Sequence, residues 1–317
     1  MEVVLGVDTS CYTTSLAALD QDGILVADFR IPLVVKPGGR GLSQSEMVFQ
    51  HVRNLPLLMT QLRQSIGNEA RISAVGTTVR PRSVEGSYMP VFLAGRGLAL
   101  CLGEALSCSV FKLSHQENHV LAGLWSAGGI SDPEFLAAHV SGGTTEILRA
   151  TSTEEAIELE LLGGSVDLHA GQFIDRVGVA LGLPFPAGSH LERLAASYAA
   201  DPPMTPISVE GTRISFSGPE THVMRWLGKQ PEAAAVASSV QYCIAGSLIR
   251  ALRCAAEQTG LNKVLLVGGV AANSFIRSRI ADTLLKQCDI SVVWPESRFS
   301  GDNAVGAACW ALSRLAG

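Results

Sequence analysis

Charged residues make up only 17% of the chain and aromatics only 6%, and neither charge runs nor low-complexity segments occur. A disordered or fibrous chain is thereby excluded. Basic excess is missing too: the net charge is −5. A generic nucleic-acid-binding surface is therefore excluded, and any RNA has to meet a local patch or a helper protein. The cysteines Cys11, Cys101, Cys108, Cys243, Cys254, Cys288 and Cys309 form no C-x-x-C pair. Their odd, scattered set implies free thiols in a reducing, cytoplasmic compartment. MEVVLGV enters a strand directly, without a basic segment or cleavage site, so no signal peptide is expected. The most apolar long stretch, Ala233 to Gly260, carries Gln241, Arg250 and Arg253, which makes it a buried helix and not a membrane span. G-x-G-x-x-G and H-E-x-x-H are both absent.

What is present is an apolar α/β pattern. With 317 residues, 47% of them apolar, the chain is long for one core and two domains are expected. Residues 2–7, Ser15 to Leu19 and Ile24 to Phe29 are apolar runs separated by hydroxyl-rich and Gln-Asp-Gly turns, a three-strand meander. Helical spacing covers Ser45 to Gly67 and Val91 to Leu106, with a strand at Ala74 to Thr78 between them. From Phe135 to Arg149 the strand–polar turn–strand unit recurs, which indicates a weak internal duplication. Lys263 to Val267, a helix to Gln287 and Ile290 to Trp294 form a βαβ unit. Gly301-Asp302-Asn303 then opens a closing helix that reaches Leu315.

Several short motifs could carry chemistry. Asp8-Thr9-Ser10 directly follows a strand: its N–H groups and hydroxyls suit phosphate oxygens, and its carboxylate suits hydrated magnesium. An ordinary hairpin turn with local hydrogen bonds has the same residues. Ser141-Gly142-Gly143-Thr144-Thr145 repeats the theme in the second half, so two such hairpins could grip a polyphosphate. Gly268-Gly269 is a strand-to-helix turn where ligands sit in open α/β sheets, or else a tight packing turn. His115 and His119 lie at i and i+4 on one helix face, in reach of one metal ion. Two ordinary histidines on a solvated first turn would read the same way. Ser114 and Glu117 around them form a capping box, which already accounts for the glutamate. Asp302 alone reads as a helix N-cap and Asp175 as a charge neighbour of Arg176.

Taken together, GVDTSC, SHQENHVLAG, VSGGTTEI, AGQFIDRVGVALGLPFPAG, ISFSG, GGVAAN and SGDNAVGAA resemble, in order and spacing, the TsaD family. These are the tRNA threonylcarbamoyl transferases formerly called O-sialoglycoprotein endopeptidases, or the glycoprotease family. The resemblance runs nearly end to end. It implies an ASKHA (actin/Hsp70/sugar-kinase-like) two-domain α/β fold with an interdomain nucleotide cleft. The expected division is residues 1–132 and 133–302, with helix 303–317 packing back on the first domain. Position by position, it makes His115, His119 and Asp302 ligands of one divalent metal, iron or zinc. The adenine nucleotide, ATP, ADP or threonylcarbamoyl-AMP, with or without magnesium, would meet His139, Val140, Ser141, Gly142, Gly143, Asp175, Gly188, Gly268, Gly269 and Asn273. Asp8 and Ser10 are the candidate catalytic residues.

The implied reaction transfers threonylcarbamoyl from its adenylate to a tRNA adenosine amine. Implied partners are tRNA with helper proteins and a second subunit, either another copy or a metal-free paralogue. The family carries an acidic pair after the cysteine, where this chain has Tyr12 and Thr13. Gln172 replaces a glutamate, Pro219-Glu220 replaces Leu-Lys, and Pro186-Ala187-Gly188 replaces Pro-Gly-Gly. These departures favour, as the alternative, a non-catalytic or altered-specificity nucleotide- and metal-binding paralogue acting as a regulator or partner subunit. A metallopeptidase would need a glutamate base in a slot where none stands, and a kinase an aspartate that cannot be identified.

Overall fold

The computed structural model describes residues 1–10, 12–35, 41–153 and 156–316. Cys11, and Lys36 and Arg40 of the Gly/Pro-rich loop, lie outside the described residues. The chain forms two compact units, Met1–Gly129 with Pro295–Gly317, and Ile130–Trp294.

The first unit starts with β1 (Glu2–Asp8), β2 (Thr13–Asp20) and β3 (Leu25–Pro32), followed by α1 (Gln44–Ile66), β4 (Arg71–Arg80), α2 (Phe92–Leu106), β5 (Ser109–Ser114) and α3 (His115–Ser126). Its sheet runs β3-β2-β1-β4-β5. The meander pairs are antiparallel and the β1–β4 and β4–β5 pairs parallel. α1 buries Met47, His51, Leu55, Leu58 and Leu62, a stripe with helical spacing, against this sheet.

The second unit contains β6 (Glu134–Val140), β7 (Thr145–Ser152), β8 (Ile157–Ser165), α4 (Ala170–Ala180), α5 (Gly188–Ala196), β9 (Ser208–Glu210), β10 (Arg213–Ser215), α6 (Ser217–Leu227), α7 (Ala233–Thr259), β11 (Lys263–Val267), a 3-10 turn at Gly269–Ala272, α8 (Ser274–Cys288) and β12 (Ser291–Val293). Strand order is β12-β11-β6-β7-β8-β10-β9. Read from β8 to β12, strand order and pairing sense repeat those of the first sheet. The duplicated strand–turn–strand pattern thus belongs to a duplicated five-strand topology. α7 is long and apolar enough to cross a membrane, but it is buried on nearly every side as the central helix of this unit's core.

The chain then returns to the first unit with α9 (Ser297–Ser300) and α10 (Val305–Ala316). α10 lies directly on the sheet. A Cβ at Gly6 would overlap the Ala304 carbonyl, and one at Gly76 the Ala307 carbonyl. Ala304, Ala307, Ala308 and Ala311 form the buried face of this segment. Small residues on both partners are what allow this approach. Asp302 is not the N-cap of this helix: Asn303 Oδ1 takes the Val305 N–H at 2.9 Å, leaving the Asp302 side chain out of the capping.

The sequence departures are absorbed locally. Gln172 Oε1 accepts the His169 N–H at the start of α4, a bond open to either an amide or a carboxylate. Pro219 is buried in the first turn of α6, where the ring removes no helical hydrogen bond. Glu220 lies 3.8 Å from Arg176, which therefore pairs there and not with Asp175. Asp167, after β8, accepts the Ser215 hydroxyl at 2.6 Å and the Phe216 N–H at 2.9 Å, tying the start of α6 to the sheet.

Candidate functional site

β1 ends at Asp8 and β5 ends at Ser114, from which α3 departs. The capping box is complete: the Glu117 N–H donates to Ser114 Oγ at 3.1 Å, and the Ser114 N–H to Glu117 Oε2 at 2.5 Å. This cap starts the helix at His115 and sets the rotation that turns His115 and His119 to one side.

Their Nε2 atoms stand 3.1 Å apart. Asp302, in the loop before α10, brings Oδ1 to 3.4 Å from His119 Nε2 and 3.6 Å from His115 Nε2. Ligand bonds of about 2.1 Å at tetrahedral to octahedral angles require donor atoms about 3 to 3.5 Å apart, so the three fit one ion. Two imidazoles and one carboxylate are donors suited to zinc or iron. Among the described residues, these three side chains form the His, Cys, Asp or Glu group close enough to share a metal. His119 is buried, while Asp302 is a quarter exposed, so the cluster keeps an open side.

Asp8 stands behind His115. Its Oδ2 lies 3.4 Å from His115 Nδ1. The carboxylate is completely buried and accepts the hydroxyls of Ser10, at 2.7 Å, and Thr78, at 2.5 Å. Burial alone would push this carboxyl up, but His115 and the two hydroxyls hold it below the usual range. For His115, burial disfavours charge, yet Asp8 and then Asp302 outweigh it and raise the ring's pKa. His119 is pushed down, by burial first and by the neighbouring His115 second. Metal-binding imidazoles are commonly held through their second nitrogen by such a carboxylate. Thr9 is also turned inward, donating to the Val91 carbonyl and accepting the Gly95 N–H. The three side chains of the first turn are thus engaged with the protein.

Sequence reasoning missed Thr78, Arg30 and Asn118. Arg30 holds the loop around Asp302, donating to the carbonyls of Arg298, at 2.5 Å, and Asp302, at 3.4 Å. Thr78 closes the second oxygen of Asp8. Only Asn118 carried a signal, as a polar residue between the two histidines on a helix that is buried there.

In the second unit, β6 delivers His139 and Val140 to the turn Ser141–Thr144, closed by the Ser141 N–H to Thr144 carbonyl bond at 2.7 Å. The start of α4 docks on this turn. The Gly171 N–H donates to the Ser141 carbonyl, and the Ala170 N–H to Thr145 Oγ1. Gly171 and Gly268 are packing glycines. A Cβ on the first would strike the Gly142 backbone and on the second the Val140 carbonyl, and Gly268 also has φ 101°. Gly142, Gly143, Gly188 and Gly269 instead face open space. Asp175 Oδ1 accepts the Ala187 N–H at 2.7 Å, and burial raises its pKa. Asn273 is committed internally: Oδ1 caps α8 through the Ile276 N–H and Nδ2 donates to Gln241.

Tyr12 packs against a buried apolar cluster of Leu33, Met47, Val91 and Phe92. Thr13 opens β2, paired with Pro32.

The family model described as "TsaD: tRNA N6-adenosine threonylcarbamoyltransferase" matches residues 36–309. A protein named tRNA N6-adenosine threonylcarbamoyltransferase, from Aromatoleum aromaticum, is 33% identical over 328 residues, covering 99% of this chain and 92% of its own. Among solved structures, T. kodakarensis HypF superimposes with a TM-score of 0.63 at 13% identity, over 99% of this chain and 48% of that one. A ROK family glucokinase from Streptomyces griseus, in complex with glucose and AMPPNP, gives 0.54 at 12% identity, over 98% and 99%. The duplicated sheets and these neighbours show the ASKHA fold.

Proposed function

The chain belongs to the TsaD family of tRNA N6-adenosine threonylcarbamoyltransferases, and on that premise we propose that it is a metal-dependent, nucleotide-binding transferase of that type. The donor is threonylcarbamoyl-AMP and the acceptor the exocyclic amine of a tRNA adenosine. A nitrogen–carbon bond forms, the carbon–oxygen bond to phosphate breaks, AMP leaves, and the proton lost by the amine passes to solvent. The observation that carries the reading is the convergence of His115, His119 and Asp302 on one ion-sized space.

His115, His119 and Asp302 would hold a divalent iron or zinc ion, which would supply positive charge to polarise or position the carbamoyl group. The protein's own groups do the rest. Asp8 holds the ring of His115 in place, and Ser10 and Thr78 hold Asp8. This makes Asp8 and Ser10 positioning groups, because both carboxylate oxygens of Asp8 already have protein partners in His115, Ser10 and Thr78. The N–H groups of Gly142, Gly143 and Gly269 meet the phosphates of ATP, ADP or the adenylate, with magnesium where a polyphosphate is bound, while Ser141 closes the turn through its own N–H. Asp175 keeps Oδ2 for a ribose hydroxyl, beside Gly188. His139, Val140 and Gly268 shape the turn from below, and Asn273 supports it from the start of α8.

Acidic overall charge leaves tRNA to be met with the help of partner proteins in the cytoplasm. The outer face of α1 exposes Phe49, Val52 and Leu57, apolar residues suited to a second subunit, a copy of this chain or a metal-free paralogue.

Elemental analysis of the wild type against His115→Ala/His119→Ala tests the metal. Near-stoichiometric ion in the first and loss of it in the second is expected, and equal content in both removes the site. Incubation with threonylcarbamoyl-AMP and tRNA tests the chemistry, with modified adenosine as the expected product.

The packing of Tyr12 favours a second reading, a paralogue that binds nucleotide and metal without transferring to tRNA. It expects tight ADP binding, no modified adenosine, and transfer gained in Tyr12→Asp/Thr13→Glu. Efficient transfer by the wild type sinks it.

A further inference from the structure

Asp302 sits on a loop, far in sequence from the histidines, yet its carboxylate must meet them to within a few tenths of an ångström. Two buried amides bridge the distance. Asn118, three residues after His115 and one before His119, points away from the ligand cluster toward the segment that precedes α10. Its Nδ2 donates to the Asn303 carbonyl at 2.6 Å, and its Oδ1 accepts the Ala307 N–H at 2.7 Å. Asn303, the neighbour of Asp302, closes the loop on itself. Its Nδ2 donates to the carbonyls of Phe299, at 3.1 Å, and Gly301, at 2.9 Å, while its Oδ1 caps Val305. Both side chains are fully buried. α3 and α10 also touch backbone to backbone, since a Cβ at Gly306 would overlap the Asn118 carbonyl.

We infer that Asn118 and Asn303 are positioning residues that deliver Asp302 to the two histidines and thereby set the affinity of the metal site. The inference rests on the metal reading proposed above. Only an amide can serve at position 118. It must donate to a carbonyl on one side and accept an N–H on the other, in a place closed to water. A carboxylate of the same shape keeps the acceptor but turns an oxygen on the Asn303 carbonyl, pushing that backbone, and Asp302 with it, out of register. Groups that orient a metal ligand commonly change affinity about 10- to 100-fold when replaced.

The test is a titration of the full-length, metal-free protein with Co²⁺, followed by its visible ligand-field absorption, on the wild type, Asn118→Asp and Leu62→Ala. Leu62 lies on the buried face of α1 in the apolar core, so its truncation lowers stability without touching the loop. Thermal melts of the metal-free forms record the stability of each. Asn118→Asp is expected to bind Co²⁺ about 10- to 100-fold more weakly with a shifted absorption band, and Leu62→Ala to bind as the wild type while melting lower. Wild-type affinity in Asn118→Asp overturns the inference. So does equal weakening in Leu62→Ala, which would make the effect one of stability alone. If Asn118→Asp does not fold, Asn303→Asp carries the same comparison: it retains an acceptor for the Val305 N–H and loses both donations. Absence of Co²⁺ binding by the wild type removes the metal reading itself, and this inference with it.

Discussion

Asp167 illustrates how a single carboxylate ties elements together. Burial pushes its carboxyl up, but hydrogen bonds from Ser215, Leu168, Phe216 and Ser217 outweigh this and hold it below the usual aspartate range. A carboxyl lowered on folding contributes stability above its unfolded pKa and loses it as pH falls through the folded one. The stability gap between wild type and Asp167→Asn should therefore be full at pH 7 and close below about pH 4. Urea midpoints measured across that range check it, and a gap that persists at low pH would point to shape, not charge. At the same scale, the histidine pair and its capping box were legible from spacing. Thr78 and Arg30 were not, because a single threonine or arginine in a strand carries no periodic signature.

At the scale of elements, the crossing of α3 and α10 governs the candidate site. Gly306 faces the Asn118 carbonyl with no space for a methyl group. Gly306→Ala should cost about 1 to 3 kcal/mol through forced separation of the helices, against the small gain alanine gives inside a free helix. Chemical denaturation measures it, and a stabilised variant would show that the crossing gives way easily. Most long elements could be read from apolar periodicity, α1, β4, α2, β11 and α8 among them. The three-residue strands β9 and β10 could not, since so short a stretch holds less than two periods.

For the molecule as a whole, the decisive feature is the return of the chain. Residues 295–317 leave the second unit and complete the first, supplying Asp302 and the helix that covers Gly6 and Gly76. A chain ending at Trp294 should lose the unfolding transition of the first unit and its metal, while Ile130–Trp294 keeps its own. Calorimetry and elemental analysis of the truncated protein check this, and a fully folded first unit would show α10 to be dispensable. The sequence placed the domain change at residues 132 and 302, whereas the compact units divide at Gly129 and Trp294. The segment with Asp302 therefore belongs with the histidines.

By itself, the sequence determined the local vocabulary: two strand–turn–strand openings, the capped H-x-x-x-H helix, the glycine turns and a chain-long family likeness. Each depends on neighbours within a few residues, where spacing and side-chain chemistry suffice. Only the tertiary structure decided which of these residues meet. It brought Asp8 behind His115, turned Ser10 and Thr9 inward, committed Asn273 to a helix cap, and set Asn118 and Asn303 between Asp302 and the histidines. Those pairings span up to 189 positions. Sheet order and helix crossing fix them, and neither is encoded in any one stretch of chain.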